Sequence, residues 1–148
     1  MDWNHYRFRS LWALPALVPA VYRSLERIED YPDWWPQVRQ VTRLGETSGV
    51  VRIRSLLPYD LTTTLRERRR DPAAGVLEVA MNGDIEGWAR WTVTPSGFGA
   101  LVRYDQEVDV RKPLLRRFAV PGRFLFRANH RLMMRAGGRG LATHLQAV

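Results

Sequence analysis

Arg123-Phe124-Leu125-Phe126-Arg127-Ala128-Asn129-His130-Arg131-Leu132-Met133-Met134-Arg135-Ala136 decides the fold of this chain. Leu125, Phe126, Asn129, Leu132, Met133 and Ala136 recur at the spacing of one helix face. Arg123, Arg127, Arg131 and Arg135 recur on another. Apolar residues three and four apart, backed by charge, read as an amphipathic helix. The pattern runs from Lys112-Pro113 to a glycine stop expected at Gly137-Gly138, with a kink or break expected at Pro121-Gly122. Asn129 and His130 stand among Phe118, Phe126, Leu132 and Met133, so two polar groups share a largely apolar face.

Upstream the period changes from 3.6 to 2. His5 to Trp12 alternates, with Tyr6, Phe8, Ser10 and Trp12 on one side. Pro15 suits the first turn of a helix, and Val18, Val21, Tyr22, Leu25 and Ile28 follow at helical spacing. Tyr31 to Pro36 is bounded by prolines and reads as a single helical turn carrying Trp34 and Trp35. Six further strands are predicted between Gln37 and Val110. They are separated by turn signals at Gly45 to Gly49, Pro58-Tyr59-Asp60, Asp71 to Gly75, Asn82-Gly83-Asp84 and Pro95-Ser96-Gly97. Their charged parity is the solvent face of an antiparallel sheet. A terminal helix that follows such strands buries its apolar face against them, which predicts one α+β domain over residues 1–148.

This order of elements resembles the helix-grip fold. Trp34-Trp35-Pro36, the Gly83-Asp84-Ile85-Glu86-Gly87 turn with Arg90-Trp91, and Asn129-His130 with Met134, Gly137, Gly140 and Leu141 resemble the polyketide cyclase/dehydrase branch of the SRPBCC superfamily. That superfamily also holds START lipid-transfer domains, the major birch pollen allergen and coenzyme Q-binding proteins. The resemblance spans nearly the whole chain. It implies a seven-stranded antiparallel sheet wrapped around the long C-terminal helix, two short helices after the first strand, and a cavity for a mostly hydrophobic molecule that is polyketide-, quinone- or lipid-like. Polyketide aromatase/cyclase chemistry is the alternative it implies.

The candidate lining follows from parity. Ser55, Thr63, Trp91, Tyr104 and Gln106 share the inward side of their strands with apolar neighbours. Phe126, Asn129, His130 and Met133 come from the helix, and Trp35 stands at one end. A few polar groups in an apolar pocket orient a guest. His130, with an ordinary pKa near neutrality, and Tyr104 are the candidates for moving a proton to or from an enolate. The plainer reading makes each of these groups a satisfied part of the core. Gly87 and Ala89 beside Trp91 would leave room for a ligand. Asp84, Glu86 and Arg54 fall on the outward parity, the two carboxylates facing cross-strand arginines.

Composition excludes other classes. Without cysteine there are no disulfides, thiol nucleophiles or thiolate metal sites. Three scattered histidines show no metal-ligand spacing, and there is no nucleophile elbow, phosphate loop or dinucleotide fingerprint. The expectation is no cofactor and no metal. No run reaches the ~20 apolar residues of a bilayer span, and the first residues do not form a signal peptide, so a cytoplasmic protein is expected. The net charge of +8 comes from 22 arginines and one lysine. That ratio matches a GC-rich coding bias better than a phosphate-binding surface. No nucleic-acid partner and no stable membrane insertion are expected. A homodimer is compatible with the sequence. A third reading, an interaction module whose basic surface meets anionic membranes, also stays open.

Overall fold

The computed structural model describes residues 4–54, 60–111 and 119–146, the side chains of 119–123 excepted. Strand β1 (His5–Leu14) leads to helix α1 (Val18–Glu26), a 3-10 turn (Ile28–Asp30) and the single-turn helix α2 (Tyr31–Trp34). Strands β2 (Val38–Arg43), β3 (Ser48–Arg54), β4 (Asp60–Asp71), β5 (Val76–Gly83), β6 (Ile85–Ser96) and β7 (Gly99–Val110) follow, and helix α3 (Ala119–Gln146) closes the chain. The sheet has seven strands in the order β1-β7-β6-β5-β4-β3-β2, every neighbouring pair antiparallel. This is the helix-grip arrangement that the order of predicted elements implies.

The strands form where alternation places them. In β3, Val51 and Ile53 are buried while Arg52 and Arg54 are exposed. In β6, Ile85, Ala89, Trp91 and Val93 are buried. Gly87 in β6 interrupts that series. Its backbone holds φ 153°, and a Cβ there would overlap the carbonyl oxygen of Glu107 on β7. The missing side chain serves strand approach rather than ligand space. Helix α1 starts at Val18, three residues later than Pro15 suggests, and Pro19 occupies its first turn. There the lost N–H has no intrahelical partner to miss.

The core is centred on tryptophan. Trp12 from β1, Trp34 and Trp35 from α2, and Trp91 from β6 are all buried. Trp34 and Trp35 stack at 5.4 Å, Trp12 meets Trp35 nearly edge-on at 5.7 Å, and Trp91 packs on Trp12 at 5.1 Å. Tyr31 adds its ring at 4.9 Å from Trp34 and donates its hydroxyl to the Leu25 carbonyl at 2.6 Å. Tyr22 on α1 donates to the Val76 carbonyl at 2.9 Å, tying that helix to β5.

Helix α3 departs from the sequence reading in three ways. The described helix is unbroken across Pro121-Gly122. It does not stop at Gly137-Gly138 but continues to Gln146. Those glycines are contact points. A Cβ on Gly137 would stand 2.6 Å from the Trp35 ring, one on Gly138 2.9 Å from the Trp12 ring, and one on Gly140 would overlap the Trp34 carbonyl oxygen. The third departure follows. The face turned to the core holds Phe126, His130, Met133, Met134, Gly137 and Leu141, whereas Leu125 and Leu132 are 52% and 48% exposed. The expected stripe is displaced by about one residue, roughly 100° around the axis. Apolarity alone chose the larger side chains. Close approach selects glycine.

The expected start of the helix near Lys112-Pro113, with Phe118, lies outside the described residues. The same holds for Ser55 and the Pro58-Tyr59 turn. No described helix is long and apolar enough to cross a membrane.

Gly140→Ala is expected to lower stability by about 1–3 kcal/mol or more, since overpacking here meets backbone rather than a flexible side chain. Gly45→Ala, whose Cβ would meet only a serine hydroxyl at 3.6 Å, serves as the control. Urea unfolding of both variants checks this, and equal midpoints would contradict it.

Candidate functional site

Between β-sheet and α3, on the side of the tryptophan cluster nearer the start of the helix, lies a cavity of about 60 Å³. Tyr104, Gln106 and Val108 of β7 line it with Phe126, Asn129, His130, Met133 and Met134 of α3. Phe8, Ile53, Leu61, Met81 and Ile85 close the remaining walls. Six of the residues singled out from sequence therefore meet at one place: Tyr104, Gln106, Phe126, Asn129, His130 and Met133.

Three others sit elsewhere. Trp35 and Trp91 belong to the tryptophan cluster. The Trp35 indole N–H donates to the Met133 carbonyl at 2.9 Å, and Trp91 packs on Tyr104 of the cavity wall, ring centroids 4.5 Å apart. Thr63 is 1% exposed and shares its hydroxyl proton between the carbonyls of Asn82 at 3.0 Å and Ile85 at 3.2 Å. Its hydrogen bonding is spent on the β5–β6 turn. On the outer face, Glu86 pairs with Arg111 at 3.3 Å, and Asp84 accepts the backbone N–H of Thr62 at 2.8 Å. Arg54 is exposed and lies 4.0 Å from Asp60. Phe8 and Met81 are lining residues that sequence reasoning passed over. Their signal was present, since Phe8 shares the parity of Trp12, and Met81 that of Leu77 and Val79.

The polar groups of the cavity form a defined network. His130 Nε2 lies 2.9 Å from Gln106 Oε1, and Gln106 Nε2 lies 3.3 Å from the Met81 sulfur. An amide N–H donates to a thioether, whereas a carbonyl oxygen facing sulfur would gain nothing. That orientation leaves the Gln106 oxygen to accept, so His130 carries its proton on Nε2 and keeps Nδ1 as an acceptor. The imidazole is stacked on Phe8, centroids 3.7 Å apart and planes 8° from parallel. Burial pushes its pKa down to about 4, so it is neutral at pH 7. Tyr104 is buried, and desolvation raises its pKa, so it stays a phenol. Its hydroxyl has no hydrogen-bond partner among the described residues. The site is thus an uncharged, largely apolar chamber with one phenol, one imidazole–amide pair and the Asn129 amide on its walls. Among the described residues no three His, Asp or Glu side chains gather as a metal site.

This geometry has known counterparts. Residues 14–136 match the family model for polyketide cyclase/dehydrase and lipid transport proteins. The chain belongs to that family. Among solved structures, TTHA0849 from Thermus thermophilus superposes with a TM-score of 0.84 at 17% identity, covering 96% of this chain and 98% of that one. A START superfamily protein from Mycobacterium smegmatis gives 0.76 at 14%, covering 95% and 97%. The Zhui aromatase/cyclase from Streptomyces sp. R1128 gives 0.73 at 16%, covering 96% and 94%. At these identities the likeness is one of fold. No curated protein matches the chain.

The depressed pKa of His130 has a thermodynamic consequence. Between pH 6.5 and about 4 the unfolded chain binds a proton that the folded site refuses. Stability is therefore expected to fall as pH drops through that window, by up to about 3 kcal/mol from this residue. His5 works in the opposite sense. Its pKa is raised by hydrogen bonding to Asp109, so its contribution is complete below pH 6.5 and fades as pH rises through the folded value. Urea melts from pH 4 to 7 on wild type and His130→Gln check this. The variant should show the shallower loss toward acid, and an imidazole that titrates near pH 6.5 by NMR would contradict it.

Proposed function

We propose that this protein binds one uncharged hydrophobic or aromatic molecule bearing at least one oxygen, of polyketide-, quinone- or lipid-like character, between sheet and helix. The observation that carries this reading is the phenol of Tyr104, which lines the cavity beside the Gln106–His130 pair and whose hydroxyl has no hydrogen-bond partner among the described residues. A hydroxyl facing a largely apolar cavity keeps its hydrogen-bonding capacity for a guest. A carbonyl or hydroxyl of a guest would satisfy it. The family's lipid transport members and the aromatase/cyclase neighbour support the same class of guest.

Size sets a condition. About 60 Å³ admits a few waters, while small-molecule pockets run to ~300–1,000 Å³. Binding therefore requires the walls to part. The end of α3 that carries Gly137 and Leu141 is locked, with Leu141 0% exposed, while the end that carries Phe124 and Leu125 shows those side chains to solvent.

Catalysis by His130 or Tyr104 is the weaker reading. A base whose pKa lies near 4 holds a transferred proton poorly at pH 7, and a phenol raised above its ordinary value gives one up poorly. Turnover through either group requires a ligand that reverses these shifts.

Fluorescence titration with 1-naphthol, which has a hydroxyl, and with uncharged N-phenyl-1-naphthylamine tests the binding reading. Both should bind saturably. Tyr104→Phe and Gln106→Leu should each weaken 1-naphthol by about five- to tenfold, the worth of one hydrogen bond, and leave the other probe within twofold. Absence of saturable binding for both probes, with no compound co-purifying in native mass spectra, would sink it.

A further inference from the structure

The basic charge of the chain is segregated. Of its 23 basic residues nine follow Asp109, and none of its 15 acidic residues does. Over residues 1–109, fourteen basic residues face fifteen acidic ones, so the whole net charge of +8 resides in the last 39 residues. Most arginines of the strands are neutralised in place, Arg39 and Arg66 being the exceptions among the described residues. Arg9 and Arg103 meet Asp105 at 2.8 and 2.9 Å, Arg90 and Arg68 meet Glu78 at 2.7 and 3.3 Å, and Arg52 meets Asp60 at 3.5 Å. On α3, Arg127, Arg131, Arg135 and Arg139 are exposed, and none has an ion pair with a described residue. They follow one another at i, i+4, a spacing at which like charges repel. Arg127 lies over the Tyr6 ring at 5.8 Å, while the other three turn further outward.

Leucines and a phenylalanine interleave with this ridge. Phe124 is 81% exposed, and Leu125 and Leu132 are about half exposed, with Ala128 between them on the same outer face. An unpaired cationic ridge beside exposed large apolar side chains is the pattern of a helix lying in a lipid–water interface. Nucleic acid would reward the arginines but not the leucines. A bilayer with anionic headgroups rewards both.

We infer that the outer face of α3 is a docking surface for an anionic membrane, with Leu125 and Leu132 entering the headgroup–acyl boundary and Arg131, Arg135 and Arg139 meeting lipid phosphates. The inner face of the same helix lines the cavity, so docking would set the candidate binding site one helix thickness from the bilayer. The helix rests on the membrane and does not cross it.

Co-sedimentation of the full chain, without added ligand, tests this apart from the cavity reading. Vesicles of phosphatidylcholine alone are compared with 70:30 phosphatidylcholine:phosphatidylglycerol at 25, 100 and 500 mM NaCl. Partitioning should favour the anionic vesicles at least tenfold at 100 mM and weaken with salt. The triple variant Arg131→Gln/Arg135→Gln/Arg139→Gln should lose at least tenfold. Leu125→Ser/Leu132→Ser, which leaves the charge unchanged, should lose severalfold. The sheet variant Arg7→Gln/Arg52→Gln/Arg54→Gln removes the same charge and should bind within twofold of wild type. Melting temperatures confirm that each variant folds. No binding to anionic vesicles at 25 mM overturns the inference. So does equal loss in the sheet variant, and so does a leucine variant that binds as wild type while the chain retains duplex DNA.

Discussion

The contact on which the structure depends is the seating of three glycines on a floor of tryptophan. Gly137, Gly138 and Gly140 bring the backbone of α3 against the Trp35 ring, the Trp12 ring and the Trp34 carbonyl. Glycine within a helix is normally unfavourable by about 1 kcal/mol against alanine. Here three of them are placed within four positions, and close packing of the large indole surfaces compensates. The seat fixes the helix in rotation as well as position. Once Gly137 and Leu141 face the core, helical geometry turns His130 and Phe126 toward the cavity and Leu132 toward solvent. The site residues are placed by contacts made more than a full turn away.

That division of labour gives the helix two unlike ends. Around Gly137 to Leu141 it is packed without slack. Around Phe126 to His130 it meets an incompletely filled space whose walls make few polar bonds. Beside the Tyr6–Phe126 ring contact, the Gln106–His130 hydrogen bond and the Phe8–His130 stack tie it there. Both involve a neutral imidazole, so neither contributes an ion pair that opening would break. A chamber built this way excludes charge while still offering donors and acceptors to a guest.

Much of this was legible in the residues. The change from period 3.6 to period 2 located most strands, because alternation of Val51 and Ile53 with Arg52 and Arg54 has only one buried side, whereas β2 shows no such alternation. The inward parity of Tyr104 and Gln106 brought them to the cavity for the same reason. The tail was harder. Gly137-Gly138 reads as a stop because glycine is the common residue after a helix, and only the partner surface reveals it as an approach point. The same oversight turned the predicted apolar face by one position and buried Leu125 and Leu132, which the structure exposes. Thr63 shows a further limit. Parity states that a hydroxyl points inward, but not whether a backbone carbonyl already holds it.

The pairing of β1 with β7 joins residues about a hundred positions apart, Tyr6 opposite Val108 and Trp12 opposite Val102. Such nonlocal pairing raises contact order and slows folding. During synthesis β1 leaves the ribosome some ninety to a hundred residues ahead of its partner strand. Through most of translation Tyr6, Phe8 and Trp12 therefore have no sheet to join, and Trp12 cannot reach the indoles of α2 and β6 in their final places. The nascent chain carries an apolar, strand-forming segment without its partner until β7 is made, and exposed segments of that kind are prone to aggregate.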